Sequence, residues 1–381
     1  MVRPTRVLVT GGAGFIGSHT VDALLARGHD VVVLDSLQPR VHPRGRPAYL
    51  DPRTRFIHGD VTDRTALLRA LDGVHVVFHL AAYQDYMTDF SQFIRTNTES
   101  AALLFELVVE HRLPVEKMLF ASSQSVAGEG VYRCAEHGVV RPGPRPLERL
   151  RRGLWEIPCP SCERPMQSQP IDEATCSPHT AYAISKYTIE LLADRLGRRY
   201  GIPTVCLRYT YVQGPRNSFY NAYSGICRIF TMRVLNGLPP VIYEDGLQLR
   251  DYVNVRDVAR ANVLAMESPA TDFAVLNVGG GRAVTVRQFA DLVISAAGRH
   301  LRSLIPGEFR LGDTRHTVSD ISALRALGWV PAVPVEENVL EYVEWLREQQ
   351  GGAEYLREAE RVMRERQVIR RADHAAGEVT A

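Results

Sequence analysis

Val7-Leu8-Val9-Thr10-Gly11-Gly12-Ala13-Gly14-Phe15-Ile16-Gly17 decides how this chain is read. It is an apolar strand, a glycine turn and the opening of a helix. Gly11 permits the tight turn, Gly14 lets backbone approach a pyrophosphate, and Gly17 lets the helix pack close to the sheet. The pyrophosphate would rest on the helix N-terminus, beside Phe15 and Ile16, where free N–H groups and the helix dipole favour anions. A second apolar run, Val31-Val32-Val33-Leu34, ends in Asp35-Ser36. An acidic residue about 20 residues after the glycines is what a ribose 2′-hydroxyl needs. It also repels a 2′-phosphate, so the expected dinucleotide is NAD and not NADP.

Working outward, the pattern repeats. Arg55–His58 reads as a third strand closing on Gly59-Asp60-Val61. Asp60 is expected to meet the adenine end of a dinucleotide; the alternative is a loop aspartate capping a helix over 65–71. A buried strand over 74–80 ends in Leu80-Ala81-Ala82, small residues that leave room for a cofactor. A helix from about Asn97 to His111 and a strand over 117–121 follow. Continuous apolar strands alternating with helices predict an α/β, doubly wound parallel sheet of Rossmann type, with ligands at the carboxyl ends of the strands.

The last of these strands delivers Ser122-Ser123-Gln124-Ser125. Further on, Tyr182-Ala183-Ile184-Ser185-Lys186 opens a helix running to about Tyr200. Tyr182 and Lys186, four apart, share one helix face. A tyrosine with an ordinary pKa near 10 is a poor base at neutral pH, but a nearby ammonium stabilises its phenolate. The pair is therefore a candidate hydroxyl deprotonator beside a nicotinamide. Only two lysines, Lys117 and Lys186, stand against 43 arginines, which singles out Lys186 further.

The bulk numbers exclude other classes. The 381 residues are 45% hydrophobic and 23% charged, with a net charge of +2, which suggests neither a nucleic-acid nor a membrane surface. The N-terminus enters the first strand almost at once, so no signal peptide is expected, and cytoplasm is the default. Four of the six cysteines cluster in an insert over 131–176. Cys134 with His137, and Cys159 with Cys162, form two pairs each with two intervening residues. That is metal-ligand spacing of the zinc-ribbon kind, and an insert so poor in apolar residues would draw stability from a structural zinc. Cys176 is the alternative to His137.

The chain resembles the extended short-chain dehydrogenase/reductases, of the NAD-dependent epimerase/dehydratase family. The resemblance rests on Thr10–Gly17, Asp35, Gly59-Asp60-Val61, His79–Ala82, Asn97, Ser122-Ser123, Tyr182 to Lys186, Leu207-Arg208-Tyr209, Arg250–Val253 and Gly312-Asp313-Thr314-Arg315. It implies NAD held by these residues, including Ser122, Tyr182, Lys186 and Tyr209, and a nucleoside-diphosphate sugar as substrate. Ser123 takes the position that hydrogen-bonds the sugar hydroxyl or ketone. Tyr83, Gln84, Gln124, Tyr211 and Asn221 are candidates for the substrate site. Arg250 is expected to clamp the diphosphate, and Asp313 and Arg315 to meet phosphate or ribose. The family's dehydratases carry an Asp-Glu pair after the serine; this chain has Gln124 and Ser125. Its decarboxylases carry a glutamate, and its 3,5-epimerases a cysteine, where Ser125 stands. What remains is the outfit of a 4-epimerase.

Asn221–Gly225, Ile229-Phe230, Glu244-Asp245-Gly246 and the cysteine-bearing insert are similar to the dTDP-L-rhamnose 4-epimerases. Tyr211 and Gln213 depart from that pattern and point to a different sugar, dTDP-, UDP- or GDP-linked, in a secondary-metabolite or polysaccharide pathway. The main rival is a nucleotide-sugar 4-ketoreductase or dehydrogenase; a cofactor-sensing regulator is a third reading. The expected organisation is a dinucleotide domain over 1–130 and 177–213, the insert 131–176, a substrate lobe 214–350 and a charged tail 351–381, a surface or interface element without chemistry. Pairing through helices 97–111 and 182–200 into a homodimer is implied by the resemblance.

Overall fold

The structure is a computed structural model that describes residues 4–85, 88–220, 225–349 and 353–373. Seven parallel strands form the main sheet: β1 (Arg6–Thr10), β2 (Asp30–Asp35), β3 (Arg55–His58), β4 (Val76–His79), β5 (Lys117–Ser123), β9 (Thr204–Tyr209) and β12 (Ala274–Val278). Their order is β12-β9-β5-β4-β1-β2-β3. Val7 pairs with Val31 on one side and Val76 on the other. Val7, Val31 and Val76 are all buried, as are the residues beside them on both faces. That is why these strands carry unbroken apolar runs and no alternation.

One face is covered by α1 (Phe15–Ala26) and α8 (Val255–Glu267), with Val21, Leu24, Val258 and Ala261 in the shared core. The other face is covered by α2 (Arg64–Ala70), α4 (Ser100–Glu110) and α6 (Ala181–Tyr200), through Leu67, Leu104, Phe105, Ile189 and Ala193. Thr180 caps α6 by accepting from the Ala183 N–H, and Gly201, at φ +67°, ends it. These are the polar N-cap and left-handed glycine stop that helix termini favour. The opening turn is equally tight. A Cβ at Gly17 would lie 2.1 Å from the Gly11 carbonyl oxygen, and one at Gly11, at φ +68°, would lie 2.8 Å from Ala81 Cα.

The structure departs from the sequence reading in three places. The expected helix over 97–111 begins earlier, as α3 (Phe90–Phe93), and passes through a wide π turn, Ile94–Glu99, before α4. Asn97 sits in that turn, and π turns cluster at functional sites because they re-aim a side chain.

The substrate lobe is also discontinuous. β10 (Tyr211–Gln213), α7 (Ile226–Leu235), β11 (Leu249–Asn254), β13 (Ala283–Thr285), α9 (Val286–Ala296) and α11 (Val335–Arg347) belong to it, but β12, α8 and α10 (Ser322–Ala326) return to the main sheet. A parallel strand needs a long crossover, so the chain leaves the sheet and comes back within 214–350.

Third, the tail is not a surface appendage. α12 (Ala353–Glu365) buries Leu356 and Ala359 in the lobe's core, and β15 (Ile369–Arg371) pairs antiparallel with β14 (Glu308–Arg310). The insert makes its own small sheet from β6 (Val131–Cys134), β7 (Gly138–Val140) and β8 (Gln167–Gln169), plus the short helix α5 (Leu147–Arg151). No described helix is long and apolar enough to cross a membrane.

Candidate active site

The carboxyl ends of the main strands open into a single large cleft of about 1260 Å³. One half is the dinucleotide half. Gly11, Gly14, Phe15, Ile16, Gly17, Asp35, Ser36, Asp60, Val61, Leu80, Ala81 and Ala82 all line it. The Asp35 carboxylate accepts from the Ala13 N–H at 3.0 Å and the Leu37 N–H at 2.9 Å. These bonds hold it at the β2 terminus and leave lone pairs for a ribose diol. Asp60 accepts from the Thr62 N–H and hydroxyl, while the cap of α2 is Asp63. The crowding behind Gly11 and Gly17 leaves bare backbone facing the cleft, which fits a pyrophosphate.

The reacting centre is built from β5 and α6. Ser123 ends β5, and its hydroxyl oxygen accepts from the Ser125 N–H and hydroxyl, at 3.2 and 3.0 Å. Tyr182 lies in the first turn of α6 and Lys186 one turn on; both line the cleft with Ser123. Lys186 donates to the Ala121 carbonyl at 2.8 Å, and its Nζ stands 5.9 Å from the centre of the Tyr182 ring. Burial pushes the Tyr182 phenol up to about 12, against a hydrogen bond with Ser123 that pulls it down. Burial also pushes Lys186 down to about 8. Lys186 and Tyr182 thus share the helix face expected from their spacing, and enclosure dominates both groups.

Beneath them are His79 and Glu190, to which the sequence assigned no role of their own. His79 bridges Thr10 and Ser100, at 2.9 Å each, and burial drives it down to about 3, so it is a neutral strut. Glu190, also buried, takes two bonds from Arg208 at 2.8 Å and one from Ser122 at 2.5 Å. Ser122 lines the cleft, yet its hydroxyl is committed to Glu190. Together Glu190 and Arg208 lock β5, β9 and α6, the elements that carry Ser123 and Lys186.

Other expected residues fall in mixed places. Asn97 does not line the cleft. It bonds the backbone of Tyr83 on both sides and the Ser185 hydroxyl, so it positions the loop after β4. Tyr83 and Gln84 line the cleft, as do Gln124, Tyr209 and Tyr211. The Tyr209 hydroxyl is taken by Asn262 at 2.7 Å, leaving its ring for the cleft. Asn221 lies outside the described residues.

Arg250 donates to the carbonyls of Leu249, Thr314 and Arg315, and stands 5.3 Å from the Tyr211 ring centre. It lines the cleft, and among the described residues no carboxylate lies within ion-pair distance of it. Asp313 lines the cleft and accepts from Arg310 at 2.9 Å. Arg310, absent from the sequence reading, lines it too.

Arg315 is a correction. It is fully buried, and its guanidinium is enclosed by Glu156, Glu244 and Asp245 at 2.5 to 3.0 Å. With three carboxylates around it, it has no capacity for a phosphate. Arg145 from the insert arm joins this network, donating to Glu244 and to the Asp313 carbonyl. Orphaned acceptors mark the rest of the wall. Gln124, Gln213 and Gln248 each line the cleft with a buried Oε1 that has no partner among the described residues.

In the insert, the ligand atoms of Cys134, His137, Cys159 and Cys162 all lie within 4.8 Å of one another. Cys134 Sγ is 3.6 Å from His137 Nδ1 and 3.7 Å from Cys162 Sγ. Metal bonds of about 2.0–2.3 Å in a tetrahedron require ligand edges of roughly 3.4–3.8 Å, so this set could hold a metal ion. Cys176 is not in the group; it stands beside Tyr187.

Comparison with known proteins agrees with this architecture. The pattern of the NAD dependent epimerase/dehydratase family matches residues 7–279. A dTDP-L-rhamnose 4-epimerase of Burkholderia thailandensis is 30% identical, over 92% of this chain and 97% of that protein. A dTDP-glucose 4,6-dehydratase of Streptomyces griseus is also 30% identical, over 90% and 94%. Among solved structures, UDP-glucose 4-epimerase of Thermotoga maritima with UDP-glucose superposes at a TM-score of 0.72, with 32% identity over 90% of this chain and 98% of that one. The Thermus thermophilus UDP-glucose 4-epimerase complex with NAD does so at 0.69, with 31% identity over 91% and 100%. This chain belongs to the NAD-dependent epimerase/dehydratase family.

Proposed function

We propose that the chain is an NAD-dependent nucleoside-diphosphate-sugar 4-epimerase. The observation that carries this is the composition of the reacting centre: Ser123, Tyr182 and Lys186 converge, and no other acid or base follows the serine. Gln124 is turned to Ser319 at 2.9 Å and Ser125 to Ser123. Neither can remove or deliver a proton at a second carbon, which weighs against the dehydratase reaction of the Streptomyces relative. NAD, when bound at the glycine turn and Asp35, supplies the acceptor and donor of the C4 hydride.

The chain's own residues do the rest. Ser123 orients the C4 hydroxyl. Tyr182, as phenolate, takes its proton while the sugar is oxidised, and returns a proton to the oxygen when reduction occurs on the opposite face. The ketone must turn over between the two steps, within a cleft of about 1260 Å³. No net redox results, so the cofactor is held through many turnovers. Arg250, with Arg310 and Asp313, anchors the diphosphate and fixes the pivot.

A dTDP- or GDP-linked deoxysugar, in a secondary-metabolite or polysaccharide pathway, fits the rhamnose-type relative; UDP-linked sugars are the alternative. We also propose a closed structural zinc at Cys134, His137, Cys159 and Cys162, a cytoplasmic location, and a homodimer through α4 and α6. The test is incubation of purified enzyme, without added cofactor, with dTDP-, UDP- and GDP-hexoses. The C4 epimer should form with no rise in absorbance at 340 nm. Stoichiometric NADH release would instead make the chain a dehydrogenase.

A further inference from the structure

The C-terminal arm, residues 353–373, is built onto the cleft. α12 is tied to α7 by Glu360 with Arg233 at 2.6 Å, and to β14 by a two-bond pair between Arg364 and Glu308. The chain then turns into β15. The Ala372 N–H donates to the Gly307 carbonyl and the Asp373 N–H to the Arg151 carbonyl of the insert, at 2.9 and 2.7 Å. Both ends of the arm are thereby fastened. Leu356, Met363, Arg366 and Gln367 line the same cleft as Ser123 and Tyr182.

The wall opposite is equally specific. Tyr243 lies under Arg310, whose guanidinium carbon is 5.3 Å from the ring centre. Gln248 donates to the Tyr243 carbonyl at 2.8 Å, which leaves its Oε1 buried and without a partner among the described residues. An orphaned acceptor of this kind costs free energy unless a ligand donor meets it. The cleft thus runs from the reacting centre, past Arg250, Arg310 and Asp313, to a compartment with an apolar floor of Leu356 and Met363. Its rim holds an aromatic ring, two amides and the cation Arg366.

We infer that the C-terminal arm is a substrate-binding element that takes the nucleoside of the sugar nucleotide. The inference rests on the nucleotide-sugar reading, and it names the part of the substrate that lies beyond the diphosphate. A flat base needs apolar and aromatic faces with a few polar groups at its edge, and this compartment supplies both. The arm lies outside residues 7–279, the stretch matched by the family.

The experiment uses the full chain, loaded with NAD, and two variants. Arg366 is exposed at the rim, so Arg366→Glu tests its charge without disturbing the core. Leu356→Trp overfills the floor, and its melting temperature and bound NAD are measured alongside. Calorimetry with dTDP, UDP, GDP and inorganic pyrophosphate gives dissociation constants; steady-state kinetics gives KM and kcat. Arg366→Glu should weaken the best-bound nucleoside diphosphate at least tenfold and raise KM by the same factor, with kcat reduced no more than threefold. Leu356→Trp should lose the nucleoside diphosphates and keep pyrophosphate. Wild-type affinity in both variants, or loss of kcat with unchanged affinity, overturns the role of the arm. If the wild type binds none of the three nucleoside diphosphates, the nucleotide-sugar reading falls with it.

Discussion

Replacing Lys186 with methionine separates the two roles proposed for this side chain, holding the cofactor and supporting the Tyr182 phenolate. The ammonium stands 5.9 Å from the Tyr182 ring centre in a buried pocket. At an effective dielectric constant of about 20, a unit charge pair at that distance is worth about 3 kcal/mol. This corresponds to roughly two pKa units on the phenol. Tyr182 is already pushed up to about 12 by burial, so losing the cation moves it further from neutrality.

The sign follows from the chemistry. Activity rises with pH as the phenol ionises, and an adjacent cation lowers the pH at which it does so. Lys186→Met should therefore move the acid limb of the log kcat/KM profile up by about two units. At a pH below both limbs it should cut the rate on the order of 100-fold. Lys186, itself pushed down to about 8 by burial, also predicts that its support in the wild type fades above pH 8. The assay is epimer formation from pH 6 to 10 with saturating NAD, with bound NAD quantified in each sample. Across this range, which lies below both limbs, the loss should narrow above pH 8 as the wild-type ammonium deprotonates; a loss that stays constant from pH 6 to 10 would refute the electrostatic role and leave only cofactor holding.

Glu190→Gln should destabilise the protein by about 3–5 kcal/mol in urea, because it leaves the Arg208 charge buried and half-paired. The pair Glu190→Leu with Arg208→Met should recover most of that loss, and a shift under about 1 kcal/mol for the single variant would show the network to be dispensable. Gly17→Ala should reduce NAD affinity at least tenfold by fluorescence titration, since its Cβ would sit 2.1 Å from the Gly11 carbonyl oxygen; unchanged binding would mean the turn relaxes freely. Cys159→Ser should lower metal content to under half of the wild-type value by elemental analysis, and the melting temperature with it. A wild-type protein with less than about 0.2 equivalents of zinc would remove the structural metal altogether.

The dinucleotide half was legible because its signals are local. A glycine turn between an apolar strand and a helix, followed by Asp35, needs only neighbours in sequence to be interpreted. Tyr182 and Lys186 were legible for the same reason, as was the pairing of cysteines in the insert. Residues whose meaning depends on distant partners were not. Arg315 has the right type for a phosphate ligand, yet Glu156, Glu244 and Asp245 converge on it from the insert arm and the loop before β11. Asn97 was placed at the cofactor, but the π turn aims it at Tyr83 and Ser185. Ser122 lines the cleft as the resemblance implies, but its hydroxyl is spent on Glu190.

Hydrophobic periodicity and glycine spacing alone were enough for the α/β class and the cofactor half, because backbone sterics and strand burial act over a few residues. The return of β12 and α8 to the main sheet was decided only in three dimensions. So were the neutral strut at His79, the orphaned amides of the cleft wall and the seating of α12 and β15 beside the cleft. These depend on which surfaces meet once the chain closes on itself, and a charged amphipathic tail has the same pattern whether it packs on a cleft or lies in solvent.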